Sequence, residues 1–219
     1  YALTYLKEEI WAEHIVKNLD PFRRFLTISS QLNTEIVNHT NIARDVGVSD
    51  KTISAYFEIL EDTLVGFSLP AFHRSVRKQQ RQAPKFYFFD VGVANALGHT
   101  IQQRVVPNTY GYGKAFEHFI VTEIHRLNYY RNSDYKLYYL RTKDQAEVDL
   151  IIEKPDHTLV LIEIKSGTEV DERDCHILQA LLAVLPGATA MVLSNDLVSK
   201  KIGSVVCHHW KTGLSELGL

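Results

Sequence analysis

The stretch EVDLIIEKPDHTLVLIEIKSG, residues 147–167, sets Glu147, Asp149, Glu163 and Lys165 inside two apolar runs. Read as strands over 147–153 and 159–165, the runs are joined by the five-residue loop KPDHT, a usual hairpin length. With Glu153 paired to Leu159, residue numbers across the antiparallel pair keep a constant sum, and Asp149 falls opposite Glu163. Side chains so opposed have Cβ atoms roughly 4.5–5.5 Å apart. Period two puts Lys165 on the Glu163 face and turns Ile162 and Ile164 to the other. A loop one residue shorter or longer would send the two acids to opposite faces. Like charges this close repel, and each is costly to desolvate, so the arrangement makes sense around a divalent cation. Oxygen donors of this kind suit Mg²⁺ or Mn²⁺ better than Zn²⁺. An acid pair with a neighbouring lysine suits phosphodiester hydrolysis. The cation would polarise the phosphate and lower the pKa of a bound water. The lysine would hold that water or stabilise the developing charge.

The elements around the hairpin must hold these groups in place. GYGKAFEHFIVTEIHRL reads as a helix with Phe116, Ile120, Ile124 and Leu127 on one stripe and Glu117 early in it. Residues 137–142, 147–153, 159–165 and 189–194 read as strands, residues 171–185 as an amphipathic helix, and 205–210 as a last short strand. Helix, three strands, helix, strand is the order of an α/β sandwich with a mixed central sheet, expected over residues 109–219.

Residues 1–97 read as a helical domain, and 98–108 as a linker. Helices over 4–18 and 21–32 are separated by Asp20-Pro21. In NIARDVGVSDKTISAYFEILEDTLVGFSL a short helix (41–46) turns at Gly47, and Ser49 or Asp50 caps a longer one to Asp62. Ile53, Tyr56, Phe57 and Leu60 share a face of that helix. The pattern fits a helix-turn-helix, with residues 65–69 and 86–89 as strands of a wing. Between them HRSVRKQQRQAPK carries Arg74, Arg77, Lys78, Arg81 and Lys85 and no acid. Lys51, Arg74, Arg77, Lys78 and Arg81 are the candidate phosphate contacts for DNA. Asp50, Glu58, Glu61 and Asp62 on the second helix argue against base readout there. A packing or regulatory module is the alternative for this region. Asp90 is expected to cap the short helix VGVANALG.

With 45% hydrophobic residues the chain can bury a proper core, and its net charge of −2 argues for no nucleic-acid partner by itself. Two cysteines, Cys175 and Cys207, are too few for a disulfide scaffold or a cysteine zinc site, which makes a reduced cytoplasmic setting the default. No apolar run approaches the roughly 20 residues that span a bilayer. The missing initial methionine suggests a piece of a longer protein. His118, His125, His208 and His209 lack ligand spacing, and GYGKAF at 111–116 lacks the first glycine and the Ser/Thr of a P-loop, so no ATP site is expected.

Asp149, followed fourteen residues later by Glu163-Ile164-Lys165 with Glu117 on a preceding helix, resembles the PD-(D/E)XK nuclease superfamily. The resemblance implies that Asp149 and Glu163 ligate the metal, that the Ile164 carbonyl adds a ligand, that Lys165 serves the water, and that Glu117 is a helix carboxylate. Gln179 matches a polar position used in some branches. The aspartate is followed by leucine, and no proline precedes it. Over nearly the whole chain, YLKEEI, the helix-turn-helix, PKFYFFDVGVANAL, the GxxFE helix start, EVDLII and IEIKSG occur in this order. This is similar to the C-terminal half of a prokaryotic family of AAA+-type ATPases, whose restriction-endonuclease-like part is domain of unknown function 4143. An N-terminal P-loop ATPase module is then an implied partner. Two functions stand open: a Mg²⁺- or Mn²⁺-dependent nuclease on DNA, and a non-catalytic DNA- or protein-binding module regulating that ATPase. Glu147 lies on the Asp149 face as a fourth acid or a rim charge.

Overall fold

The computed structural model describes residues 16, 18–73, 75, 79, 82–142 and 145–219. The helix expected over 4–18, save Val16 and Asn18, lies outside them, as do Arg74, Arg77, Lys78 and Arg81. The chain divides into two compact units, residues 1–68 with 83–104 and residues 69–82 with 105–219.

In the first unit, α1 (Leu19–Gln31) starts two residues before the expected position, because the Asn18 side chain, not Asp20, takes the N-cap role and accepts the Asp20 N–H. Pro21 falls in the first turn, where its missing N–H costs nothing. Asn38 caps α2 (His39–Val46), and Gly47, at φ 80°, ends it in the left-handed conformation that favours glycine. Ser49 caps α3 (Asp50–Asp62) by accepting the Thr52 N–H. The expected face of α3, Ile53, Tyr56, Phe57 and Leu60, is buried in one cluster with Phe22, Phe25, Phe86 and Phe88. Phe25 meets Phe57 edge-on at 4.8 Å, and Phe22 meets Tyr56 at 4.9 Å. Such pairs add about 0.5–1.5 kcal/mol each beyond area burial.

β1 (Gly66–Leu69) and β2 (Lys85–Phe88) form a two-stranded sheet. The Thr34 N–H donates to the Phe86 carbonyl and the Val37 N–H to that of Pro84, which ties β2 to the loop before α2. Lys85 departs from its reading as part of the basic run. It is 3% exposed and bridges to Ile36, so the sheet takes its backbone and covers its side chain. Asp90 caps α4 (Val91–Leu97), accepting the N–H groups of Gly92 and Val93.

The second unit is a mixed six-stranded sheet flanked by helices. α5 (Tyr110–Arg131) opens at the Thr109 cap. β3 (Lys136–Arg141), β4 (Glu147–Glu153) and β5 (Leu159–Lys165) follow, then α6 (Glu172–Leu182), β6 (Thr189–Ser194), β7 (Lys200–Ile202), β8 (Val205–His209) and α7 (Trp210–Glu216). The spatial order is β3-β4-β5-β6-β8-β7. β3, β4 and β5 are antiparallel neighbours, β5/β6 and β6/β8 are parallel, and β7 returns antiparallel to β8. Val148, Ile151, Leu161 and Val192 share a core with Cys175 and Leu178 of α6. Val160, Ile162 and Ile164 of β5 are buried too, and α5 packs along β5. Cover on both faces explains why the central strands are apolar runs rather than alternating ones. No helix among the described residues is long and apolar enough to cross a membrane.

Candidate active site

The β4–β5 hairpin pairs Glu153 with Leu159, then Ile152 with Val160, Ile151 with Leu161 and Leu150 with Ile162. This is the register that the five-residue loop predicts. The loop closes on itself: the Lys154 N–H donates to the Thr158 carbonyl, the Asp156 carboxylate accepts from both the N–H and hydroxyl of Thr158, and His157 takes φ 64°. Pairing stops at Leu150 and Ile162. One step further, the Asp149 carboxylate accepts the Ile164 N–H at 2.7 Å. On its other side β4 carries a register shift against β3, between Tyr138 and Leu140. Such bulges bend a strand and re-aim its side chains. The start of β4 is therefore irregular on both edges, where Asp149 sits.

Glu163, which precedes Ile164 on β5, is 8% exposed. Its Oε1 accepts from Lys165 Nζ at 2.7 Å. Its Oε2 is buried without a hydrogen-bond partner. Burial pushes the Glu163 pKa up, Lys165 opposes that, and the charges of Glu117 and Glu147 push it further up. Burial works against the charged form of Lys165 as well. Glu163, and then Asp149 and Asp174, outweigh it, so the pKa of Lys165 is raised and the group is an ammonium at neutral pH. Glu117 from α5, Glu147 and Asp149 from β4, and Glu163 and Lys165 from β5 thus share one electrostatic neighbourhood.

Sequence reading missed the groups that hold this end of the sheet. β6 runs beside β5 with Lys165 aligned to Ser194. Just beyond, Asn195 donates its Nδ2 to the Ser166 carbonyl at 3.0 Å and to the Tyr112 hydroxyl at 3.4 Å, and its N–H to the Gly167 carbonyl. Asp196 accepts the Val170 N–H at 3.2 Å and pairs with Lys200 at 2.8 Å. These contacts clamp the segment after Lys165. Only the parallel placement of β6 brings them together, so no local spacing could announce them.

Other candidates fall elsewhere. Lys51 is exposed in the first turn of α3. Gln179 donates to the Ile202 carbonyl, a bond from α6 to the edge strand. His118 is buried within α5, and His125 has its pKa lowered by burial and by Arg126. Among the described residues no three His, Cys, Asp or Glu side chains converge as a metal-binding group. A cleft of about 560 Å³ lined by Tyr138, Glu153, His157 and Gly187 lies at the turn end of the hairpin. Four residues of strand, about 13 Å, separate it from the acid pair.

Residues 1–104 match a family described as Domain of unknown function (DUF8612), and residues 112–211 match Domain of unknown function (DUF4143). The second is the domain that the EVDLII and IEIKSG motifs resemble. Two curated relatives are the uncharacterized protein Rv2008c of Mycobacterium tuberculosis and the uncharacterized protein Mb2031c of Mycobacterium bovis. Each is 26% identical over 153 residues, 70% of this chain and 34% of the relative. The chain thus spans about a third of the length of the curated relatives it matches. A solved assembly of Thermococcus gammatolerans McrB AAA+ hexamers with bound McrC overlaps 86% of this chain and 47% of its own, at 12% identity and TM-score 0.34. A likeness that weak decides neither fold nor function.

Proposed function

We propose that the second unit is a metal-dependent phosphodiesterase of PD-(D/E)XK type, acting on DNA. The observation that carries this reading is the buried, unpartnered Oε2 of Glu163 beside an ammonium and two further carboxylates. A lone buried carboxylate oxygen is costly to keep without a ligand. An oxygen-seeking cation fits it. Asp149, Glu163, Glu117 and the Ile164 carbonyl are the residues that would hold Mg²⁺ or Mn²⁺, and the three carboxylates, which do not converge in this structure, would have to draw together around it. The N–H and C=O of one strand residue point to the same neighbour, so Ile164 offers its carbonyl on the side where β4 has stopped pairing. A bound cation would supply a polarised phosphate and a more acidic water. Lys165, held charged, stabilises negative charge on the phosphate rather than accepting a proton. Glu163 orients that ammonium through the 2.7 Å contact.

The first unit, in this reading, is a DNA-binding winged helix with a phosphate contact from Lys51, while Arg74, Arg77, Lys78 and Arg81 fall in the 69–82 segment that groups with the second unit and would add phosphate contacts there. The motif order and the DUF4143 match support a working partnership with an AAA+-type ATPase module. To test the nuclease, plasmid and single-stranded DNA are incubated with Mg²⁺ or Mn²⁺ and wild-type chain, Asp149→Asn or Lys165→Ala. The reading expects cutting that both substitutions abolish.

One observation favours a second reading, a non-catalytic binding or regulatory module. Asp149 already spends an oxygen on the Ile164 N–H, and Lys165 already neutralises Glu163. Without cleavage and without calorimetric binding of either cation, this module is what remains.

A further inference from the structure

We propose that Tyr110 and Lys114 form a stacking platform for an unpaired base at the entrance to the acid cluster, so that the substrate strand is single-stranded there. The inference rests on the nuclease reading of that cluster and adds the substrate class.

Helix register aligns these two residues with the acid cluster. Positions 110, 114, 117 and 121 of α5 lie three or four residues apart and so fall on one stripe. Val121 on this stripe is fully buried. One turn earlier, Glu117 is close enough to Glu163 to raise its pKa. Earlier still the stripe leaves the protein: Tyr110 is 76% exposed. At 1.5 Å per residue, Tyr110 stands about 10 Å along the axis from Glu117 and Lys114 about 4.5 Å from it. The stripe therefore runs from core, to acid cluster, to solvent.

Two contacts fix where the exposed turn hangs. The Tyr112 hydroxyl takes the Asn195 amide, and a Cβ placed on Gly113 would lie 3.8 Å from Ser166 Oγ. Ser166 directly follows Lys165. The first turn of α5 thus overhangs the end of β5 where the lysine and Glu163 sit.

A single exposed tyrosine needs no explanation. This one carries the Lys114 ammonium 5.6 Å from its ring centroid. An aromatic face beside a cation is how proteins hold single strands: the ring takes a base face and the cation the phosphate. In a duplex both faces of an interior base are already stacked, so the ring selects for unpaired nucleotides. The same chemistry serves DNA and RNA.

The test is fluorescence anisotropy in EDTA with labelled oligo(dT), oligo(U) and a duplex of equal length, using the whole 219-residue chain. Tyr110→Ala should weaken both single strands by about tenfold, within the range a lost base stack produces, while Tyr110→Trp keeps them and the duplex is unaffected. Lys114→Ala should weaken the single strands and flatten their salt dependence. Tighter binding of oligo(dT) or of oligo(U) identifies the source of the strand. The platform is overturned by single-strand affinity that is undetectable in the wild type or indifferent to Tyr110→Ala, or by equal losses for strand and duplex. Cleavage in Mn²⁺ is scored separately. Tyr110-dependent binding without cleavage retires the nuclease and keeps the platform, and cleavage with Tyr110-independent binding does the reverse.

Discussion

The Asp149 carboxylate accepts the Ile164 N–H at 2.7 Å, one residue past the last paired rung of the β4–β5 ladder. A side chain thus takes over a backbone's task where the two strands part. That single bond serves two ends. It satisfies a buried donor, and it brings an acid beside the Glu163–Lys165 pair.

The two ends can be separated by substitution. Asp149→Asn keeps an acceptor oxygen for Ile164, whereas Asp149→Ala leaves the N–H unsatisfied, a loss of about 1–3 kcal/mol. Thermal unfolding should show Asp149→Ala clearly less stable than wild type and Asp149→Asn close to it. Both variants should lack cleavage. Equal melting temperatures for the two variants would show that the bond carries no stability.

Lys165 should matter by charge rather than by proton transfer. Its neighbours Glu163, Asp149 and Asp174 keep it ionised despite burial. Lys165→Arg should therefore retain part of the cleavage that Lys165→Met loses, since removal of one transition-state donor costs about a hundredfold or more in rate. Arginine and methionine variants of equal activity would exclude the electrostatic role.

The sulfurs of Cys175 and Cys207 lie 3.8 Å apart, both buried. Burial pushes the Cys207 thiol up to about 12, with Cys175 adding to the shift. The thiolate is the reactive form. Neither cysteine should react with iodoacetamide in the folded chain at neutral pH, and both should react once urea unfolds it. Mass spectrometry of the labelled chain reads the difference.

His39 of α2 donates to or accepts from the Ser54 hydroxyl at 2.9 Å and stacks on Phe57. Burial lowers its pKa below 6.5, with Asp50 opposing. A depressed base favours the neutral folded form, so its contribution is present above the unfolded pKa of about 6.5 and is lost as pH falls through the folded value. His125 shifts the same way. Melting temperature should drop as pH falls below about 6.5, and His39→Asn should shrink that drop. A pH dependence unchanged by His39→Asn would assign the loss to other groups.

Much of this was legible in the sequence because it is local. The bounds of β4, β5 and β6 follow from apolar runs flanked by polar turns, and loop length alone sets the hairpin register. Ser49 and Asp90 announce helix starts through their capping chemistry. The edge strand β7 was not legible. It has three residues, two of them lysines, the composition that protects an edge from further pairing and removes the apolar signal. Nor were Asn195 and Asp196, whose importance depends on β6 lying parallel beside β5. The early start of α1 reflects Asn18, whose cap was hidden by the louder Asp20-Pro21 pair. The burial of Lys85 was equally out of reach, because a charged residue at a strand start reads as exposed until the opposing chain is in place.

The Oε2 of Glu163 is buried without a hydrogen-bond partner, and the proposed cation would sit against it. Isothermal calorimetry with Mn²⁺ near neutral pH tests this most directly. Wild type is expected to show saturable binding at a single site, absent from Glu163→Gln and from Asp149→Asn. Binding of equal strength in all three proteins, or none in the wild type, would contradict the metal site and the hydrolysis built on it.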